Sequence, residues 1–419
     1  MLNGHQIGVI MKKKLFTHIF LSGSKLMVNY RIEDITEGMT IGESVFTKSG
    51  QLLVSAGYNL NNKQIELLKK MGFKTLMVDI EGTEEVNPQP VISTQVQSEL
   101  TTTVEQSSKD IRSVFGKELN VKSKVIETIE KDRNNINDII RNSGLVTMVS
   151  KIIDDICTEP WALVNITKII NESDDLFKHS IFTTIISLCI GYKYTFSFDE
   201  LKQLGLGAIN YDIGMLSIPT SILNKESPLN EEEQQILNQH TIYGYMMLSG
   251  ISAIPPTSTA VALSHHEHQD GSGYPRGLKG ENRPPAKSLS KGTIHRFAEI
   301  VAVADAYEMY LNGRRHFSEA LGSKGAIAQI IKESGSKFNT DIVKTLIKIV
   351  PIYPVGTRVK ITDAPFDKLI GCTGVISSVS PEHITKPQVL IYENKNKTKM
   401  KPVTLDMQKV KGITLELLT

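Results

Sequence analysis

The sequence predicts a mainly α protein, a helical body flanked by a small α/β module on its N-terminal side and a small β-rich module on its C-terminal side. Three observations carry this. Within residues 144–350 apolar side chains recur at three- and four-residue spacing, as in Ile181, Ile185 and Leu188 and again in Leu201, Leu204 and Ala208. That spacing marks one face of a helix. Residues 29–82 instead alternate short apolar runs with turn residues at Gly38, Ser49-Gly50 and Ala56-Gly57, as strands and turns do. Beyond residue 351, β-branched runs at 359–361, 375–379 and 389–392 stand between Gly, Pro and Asn-Lys punctuation, the pattern of a small antiparallel sheet.

Taken in order, residues 1–28 are an uncertain leader. Lys12-Lys13-Lys14 and the apolar residues after them faintly resemble a secretory signal. The apolar part is short and holds His18, and no small-residue cleavage site follows, so Met27 is the preferred initiator. In the module at 29–82, residues 61–71 read as a helix stopped by Gly72. Residues 83–143 begin polar, with Pro88 and Pro90, and read as a linker. Val104, Ile111 and Val114-Phe115 then approach helical spacing, so a connecting helix follows. In the helical body one start is explicit: Asn230 can cap first-turn amides and Glu233 sits three residues on. That helix is expected to carry His240 on about its third turn. Residues 351–419 form the β-rich module.

A chain of 419 residues suggests two or three domains. The formal net charge of +2 advertises neither DNA nor an anionic membrane, so a nucleotide ligand must be held by local basic groups. Cys157, Cys189 and Cys372 are far apart and form no Cys-x-x-Cys pair. That argues against a thiolate zinc site or a disulfide scaffold and suits a reducing cytoplasm. The longest apolar run, residues 181–192, is too short to span a bilayer.

The chemistry sits in five places. Asp175 and His179 are an i, i+4 pair on one helix face. Then come Tyr211-Asp212, His240, the run from His265-His266 to Gly273-Tyr274-Pro275, and Asp305 behind the apolar residues 300–304. Imidazoles and carboxylates together suit iron, manganese or zinc rather than calcium. A carboxylate can bridge two metals about 3.5–4 Å apart, the separation used in phosphate-ester hydrolysis. Taken singly, His240 reads as a satisfied helix residue and Asp175 as an exposed acid. Asp305 is harder to dismiss, because a buried carboxylate needs a partner.

The order of these motifs resembles the HD-GYP domain, the branch of the HD phosphohydrolases that cleaves cyclic di-GMP. The segment from His266-Glu267-His268-Gln269-Asp270-Gly271 to Gly280 is similar to its signature, as are Ile218-Pro219, residues 222–225 and the pair His240 and Gly244. Glu37-Gly38-Met39 is similar to a module often found before that domain, and residues 353–357 to its usual tail. The resemblance implies an HD-type all-helical core around a centre of one to three divalent metal ions, iron or manganese. It matches His179, Asp212, His240, His265, His266 and Asp305 to metal ligands, with Asp212 as the bridging, catalytic carboxylate. Asp175 matches an acid of three-metal members. Gly273, Tyr274 and Pro275 match the loop beside the substrate, and Arg314 a contact to substrate phosphate. The expected ligand is a cyclic dinucleotide. A signalling protein partner and a homodimer are compatible with it.

The chain departs from that pattern at defined points. The HD dipeptide is Tyr211-Asp212, so one histidine ligand is missing. The lysine expected three residues on is Met215. The second acid after Asp305 is Glu308, and Arg315-His316-Phe317 replace the residues expected after the arginine. An insertion around residues 288–292 lengthens the path to Asp305. One metal position keeps Asp212, His240, His265 and His266. The other keeps His179, Asp212 and Asp305 but loses a histidine. Tyr211 is either a phenolate ligand to a ferric ion or a plug. The plug is favoured, because tyrosine is longer and its hydroxyl lands elsewhere. Either hydrolysis of cyclic di-GMP or a catalytically impaired binding module follows.

Overall fold

The computed structural model describes residues 27–42, 44–46, 52–73, 75–79, 92–116, 121–158, 176–225, 227–285, 291–313, 320–380 and 382–418. Residues 1–26 of the leader, the proline-containing start of the linker, Asp175, Arg314 to Phe317 and most of the insertion lie outside these residues, while positions 27 and 28 of the leader belong to the first strand.

The N-terminal module contains β1 (Met27–Arg31), β2 (Thr40–Ile41), β3 (Val45–Phe46), β4 (Leu52–Val54), α1 (Asn62–Lys70) and β5 (Thr75–Asp79). An antiparallel sheet runs β1-β5-β2, beside a β3-β4 ladder. Asn61 and Gln64 close a reciprocal capping box on α1, and Gly72 takes φ +85° just past its end. A left-handed residue there is cheap only for glycine.

The helical body starts earlier than the periodicity of residues 144–350 suggests. Its first helices are α2 (Thr94–Phe115), α3 (Lys122–Lys131), α4 (Arg133–Asn142) and α5 (Leu145–Thr158). Ile92, Leu100, Val104, Ile111, Ile129 and Ile136 are buried in the same apolar core as Ile152, Ile185 and Val301. The connecting helix is thus a wall of the domain and packs on α4 and α5. The body continues with α6 (Leu176–Lys193), α7 (Phe198–Ile209), α8 (Thr220–Leu223), α9 (Glu231–Asn238), α10 (His240–Leu248), α11 (Pro256–Ser264), α12 (Arg296–Asn312), α13 (Gly322–Lys332) and α14 (Thr340–Leu346). The central helix is α12. It packs on α6, α11, α13 and α14 and is buried along nearly its whole length, its Glu299, Asp305 and Glu308 included.

The Asn230–Glu233 capping box is present. The helix it starts differs from expectation: α9 stops at Asn238, and His240 begins α10 instead of riding on a third turn. The Leu237 carbonyl accepts from Nδ1 of His240 at 2.7 Å, so the step at Gln239 turns a backbone acceptor toward the imidazole.

The C-terminal module is a five-stranded antiparallel sheet, ordered β10-β6-β7-β8-β9. Its strands are β6 (Arg358–Asp363), β7 (Thr373–Ser378), β8 (Gln388–Glu393), β9 (Lys399–Asp406) and β10 (Thr414–Leu417). The two flanking modules share one apolar core, in which Tyr30, Ile41, Leu68 and Val78 join Val359, Val375, Val389 and Leu415. The Tyr30 and Tyr392 hydroxyls lie 3.1 Å apart, and the Arg358 guanidinium stacks 3.5 Å from the Tyr30 ring centroid. Among the described residues no helix is long and apolar enough to cross a membrane.

Candidate metal centre

Four elements of the helical body supply one group of donors. Asp212 lies in the tight turn after α7 and leads a 3-10 turn over Ile213–Ser217. His240 opens α10, while His265 caps the C-terminus of α11 and is followed by His266. One ligand atom from each of Asp212, His240, His265 and His266 lies within 4.8 Å of all the others. The first three are buried and His266 is half-buried.

Glycines make this approach possible. A Cβ on Gly214 would overlap the His240 carbonyl oxygen and press on the Gly244 nitrogen. The 3-10 turn that carries Asp212 can therefore rest directly on the first turn of α10. A Cβ on Gly273 would overlap the backbone of His266 and His268. That lets the Gly273-Tyr274-Pro275 loop fold back onto the histidine run, where the Tyr274 amide donates to the His266 carbonyl at 3.1 Å.

The imidazoles are aimed from behind. Nδ1 of His240 faces the Leu237 carbonyl. Nδ1 of His265 faces the Val261 and Ala262 carbonyls, each at 3.1 Å. A carbonyl only accepts, so both Nδ1 atoms carry hydrogen and Nε2 is the nitrogen each ring turns inward. The two Nε2 atoms are 3.3 Å apart and lie 3.4 and 3.5 Å from Oδ1 of Asp212. Two ring nitrogens and a carboxylate oxygen converging at this distance could hold a metal ion among them. Burial and the neighbouring histidines push His266 well below the usual imidazole range, so a proton is poorly held there. Three imidazoles and a carboxylate, with the outer nitrogens of two rings fixed by backbone acceptors, are a donor set that could hold a metal ion.

The GYP loop faces this group. The Tyr274 ring stacks on His266 with centroids 4.8 Å apart and an interplanar angle of 24°. Burial, then the Asp212 and Asp305 charges, raise its phenol pKa. Sequence reading missed what anchors the loop. Glu267 is buried, and its carboxylate accepts from the Arg276 amide at 2.9 Å and the Leu278 amide at 2.7 Å. Gln269 donates to the buried Glu299 at 2.7 Å. Only the acid inside the His-Glu-His run could have hinted at this.

His179, on α6, and Asp305, on α12, lie together beside the four-donor group. Nε2 of His179 is 2.6 Å from Oδ1 of Asp305, and Nδ1 contacts Oε2 of Glu308. Burial alone would raise the Asp305 carboxyl, but the hydrogen bond and charge of His179 hold it far below the usual range. Tyr211 is fully buried and its hydroxyl donates to the same Asp305 oxygen at 2.6 Å. Asp175 and Arg314 lie outside the described residues. Met215 is buried in the 3-10 turn and supplies no cation there.

A family model described as an HD domain matches residues 164–342. A cyclic di-GMP phosphodiesterase of Pseudomonas aeruginosa is 24% identical over 245 residues, 58% of this chain and 54% of the relative. One of Thermotoga maritima is 35% identical over 150 residues, 36% of this chain and 38% of the relative. Over residues 164–342 the chain is similar to the HD domain, and the relatives it resembles there are cyclic di-GMP phosphodiesterases. It spans about half or less of the length of those curated relatives. Among solved structures, an HDG"Y"P protein of Bdellovibrio bacteriovorus has a TM-score of 0.42 at 17% identity, covering 77% of this chain and 99% of that one. Asp212, His240, His265 and His266, which form the donor group, and Gly273 to Pro275 beside it all lie within the residues that match the HD domain.

Proposed function

We propose that this protein is a metal-dependent phosphodiesterase that opens cyclic di-GMP to pGpG or GMP in second-messenger signalling. The observation that carries this reading is the four-donor group with Tyr274 stacked on one of its imidazoles. Asp212, His240, His265 and His266 would hold a divalent ion, iron or manganese by resemblance. Such an ion lowers the pKa of a bound water and polarises a phosphoryl oxygen. The rest falls to the chain's own residues. The glycine-rich loop lets backbone approach the dinucleotide, and Arg314 would clamp a phosphate. Three free cysteines suit a reducing cytoplasm, and the flanking modules would carry any signalling partner or dimer contact.

A second reading, a domain that binds the dinucleotide without cutting it, is favoured by two observations. Tyr211 closes on Asp305, and Met215 stands where a phosphate-binding lysine would be. The purified protein, supplied with Fe(II) or Mn(II) under reducing conditions, should convert cyclic di-GMP to linear product, and Asp212→Ala should abolish this. Calorimetric binding without turnover would select the second reading, with activity gained in the double variant Tyr211→His, Met215→Lys. Neither binding nor turnover sinks both.

A further inference from the structure

A second ion beside the four-donor group would have to use His179, Asp305 and a shared Asp212. In this chain His179 and Asp305 are otherwise engaged. Both ring nitrogens of His179 end on carboxylates, Nε2 on Asp305 and Nδ1 on Glu308. With a carboxylate oxygen in front of each ring nitrogen, neither nitrogen faces open space in which a second ion could sit. Oδ1 of Asp305 is approached by two donors, His179 and the Tyr211 hydroxyl, each at 2.6 Å. The phenol ring fills the space between the two halves of the centre. It lies edge-on to His265 at 4.8 Å between centroids and 6.0 Å from the His179 ring. Among the described residues, the one His/Asp/Glu/Cys group compact enough for a metal omits both His179 and Asp305.

From this geometry we infer that the centre binds a single metal ion, and that Tyr211, with Asp305, His179 and Glu308, closes the position a second ion would take. The inference rests on the reading of Asp212, His240, His265 and His266 as a metal group. Buried carboxylates need compensating partners, and His179, set between Asp305 and Glu308, is a partner to both without a second cation. The ring of Tyr211 alone is enough to close the position, and its hydroxyl adds to that. Its ring supplies bulk and its hydroxyl satisfies a buried carboxylate oxygen that would otherwise lose a partner.

The test is a metal count that does not depend on turnover. The full chain is purified anaerobically, exposed to excess Mn(II), desalted, and its metal-to-protein ratio measured. The wild type should retain one ion, Asp212→Ala none, Tyr211→Phe one and Tyr211→His two. Thermal unfolding of each variant establishes that it is folded, and Tyr211→Phe keeps the test decisive if the histidine variant does not fold. Two ions in the wild type overturn the inference while leaving the phosphodiesterase reading intact. So does a phenolate-to-iron charge-transfer band in the ferric protein that Tyr211→Phe removes, because Tyr211 would then be a ligand. A folded Tyr211→His protein that stays at one ion overturns the role given to Tyr211. No retained metal in the wild type overturns the metal group itself, and the inference with it.

Discussion

At Gly214 a single hydrogen decides how closely Asp212 can approach His240. A methyl group there would overlap the His240 carbonyl and crowd the Gly244 nitrogen, and neither backbone can step aside without moving its helix. Gly214→Ala is therefore expected to lower unfolding free energy by about 1–3 kcal/mol, the usual cost of overpacking, and to reduce metal retention toward that of Asp212→Ala. Metal content and denaturant midpoint measured on the same protein check this, and an unchanged metal content would contradict it. At this scale much of the centre was legible. The order Asp212, His240, His265, His266 and the glycines of the loop are types and spacings that chemistry restricts. The hydrogen bond from Tyr211 to Asp305 was not legible. The residues are 94 apart, and whether the phenol becomes a ligand or a plug depends on where α12 places its acids. Glu308 was visible as a departure. Its i, i+3 spacing from Asp305 put both acids on one face, but only the packing of α6 on α12 shows that His179 lies between them.

Among the elements, α2 departs furthest from its appearance in sequence. Its Ser-, Thr- and Gln-rich composition reads as a connector, and only Val104, Ile111 and Phe115 announce a buried stripe. That stripe packs into the domain core. With Ser107 and Ser108 it also lines a small cavity whose other walls include Asn210 and Asp212. Arg112 reaches from the same helix to the Met215 carbonyl at 3.4 Å. Burying a helix with so few large apolar residues is marginal, so each should matter. Ile111→Ala should destabilise the protein by about 2–5 kcal/mol, as large-to-small changes in a packed core do. A free linker would show no change in thermal or urea unfolding. The break between α9 and α10 was missed for a different reason. Gln239 keeps helical backbone angles, so no Gly or Pro marks the step that presents His240.

Across the whole molecule, the fold class was readable from periodicity because each part uses its own period: three to four in the body and short β-branched runs at the end. What sequence did not disclose was that the two flanking modules make one body. Their contacts join residues more than three hundred positions apart, such as Tyr30 and Tyr392, and no local pattern encodes such a pairing. A chain ending at Val350 would leave the apolar face around Tyr30, Ile41 and Val78 uncovered. In such a chain, residues 27–79 should be cut by protease much faster than in the full-length protein. Equal protection of that segment in both would show that the N-terminal module folds independently.

The shared core also has a mechanical consequence. The joined modules are tied to the helical body by two covalent leads, one entering α2 and one leaving after α14. A body held by one lead can swivel in any direction. A body held by two retains chiefly a rocking motion about the line through its attachments. One of those attachments is the helix whose serines back Asp212, so a load on the outer modules would arrive at the donor group as tilt or torque along α2. The geometry resembles a lever on a fixed pivot more than a weight on a string.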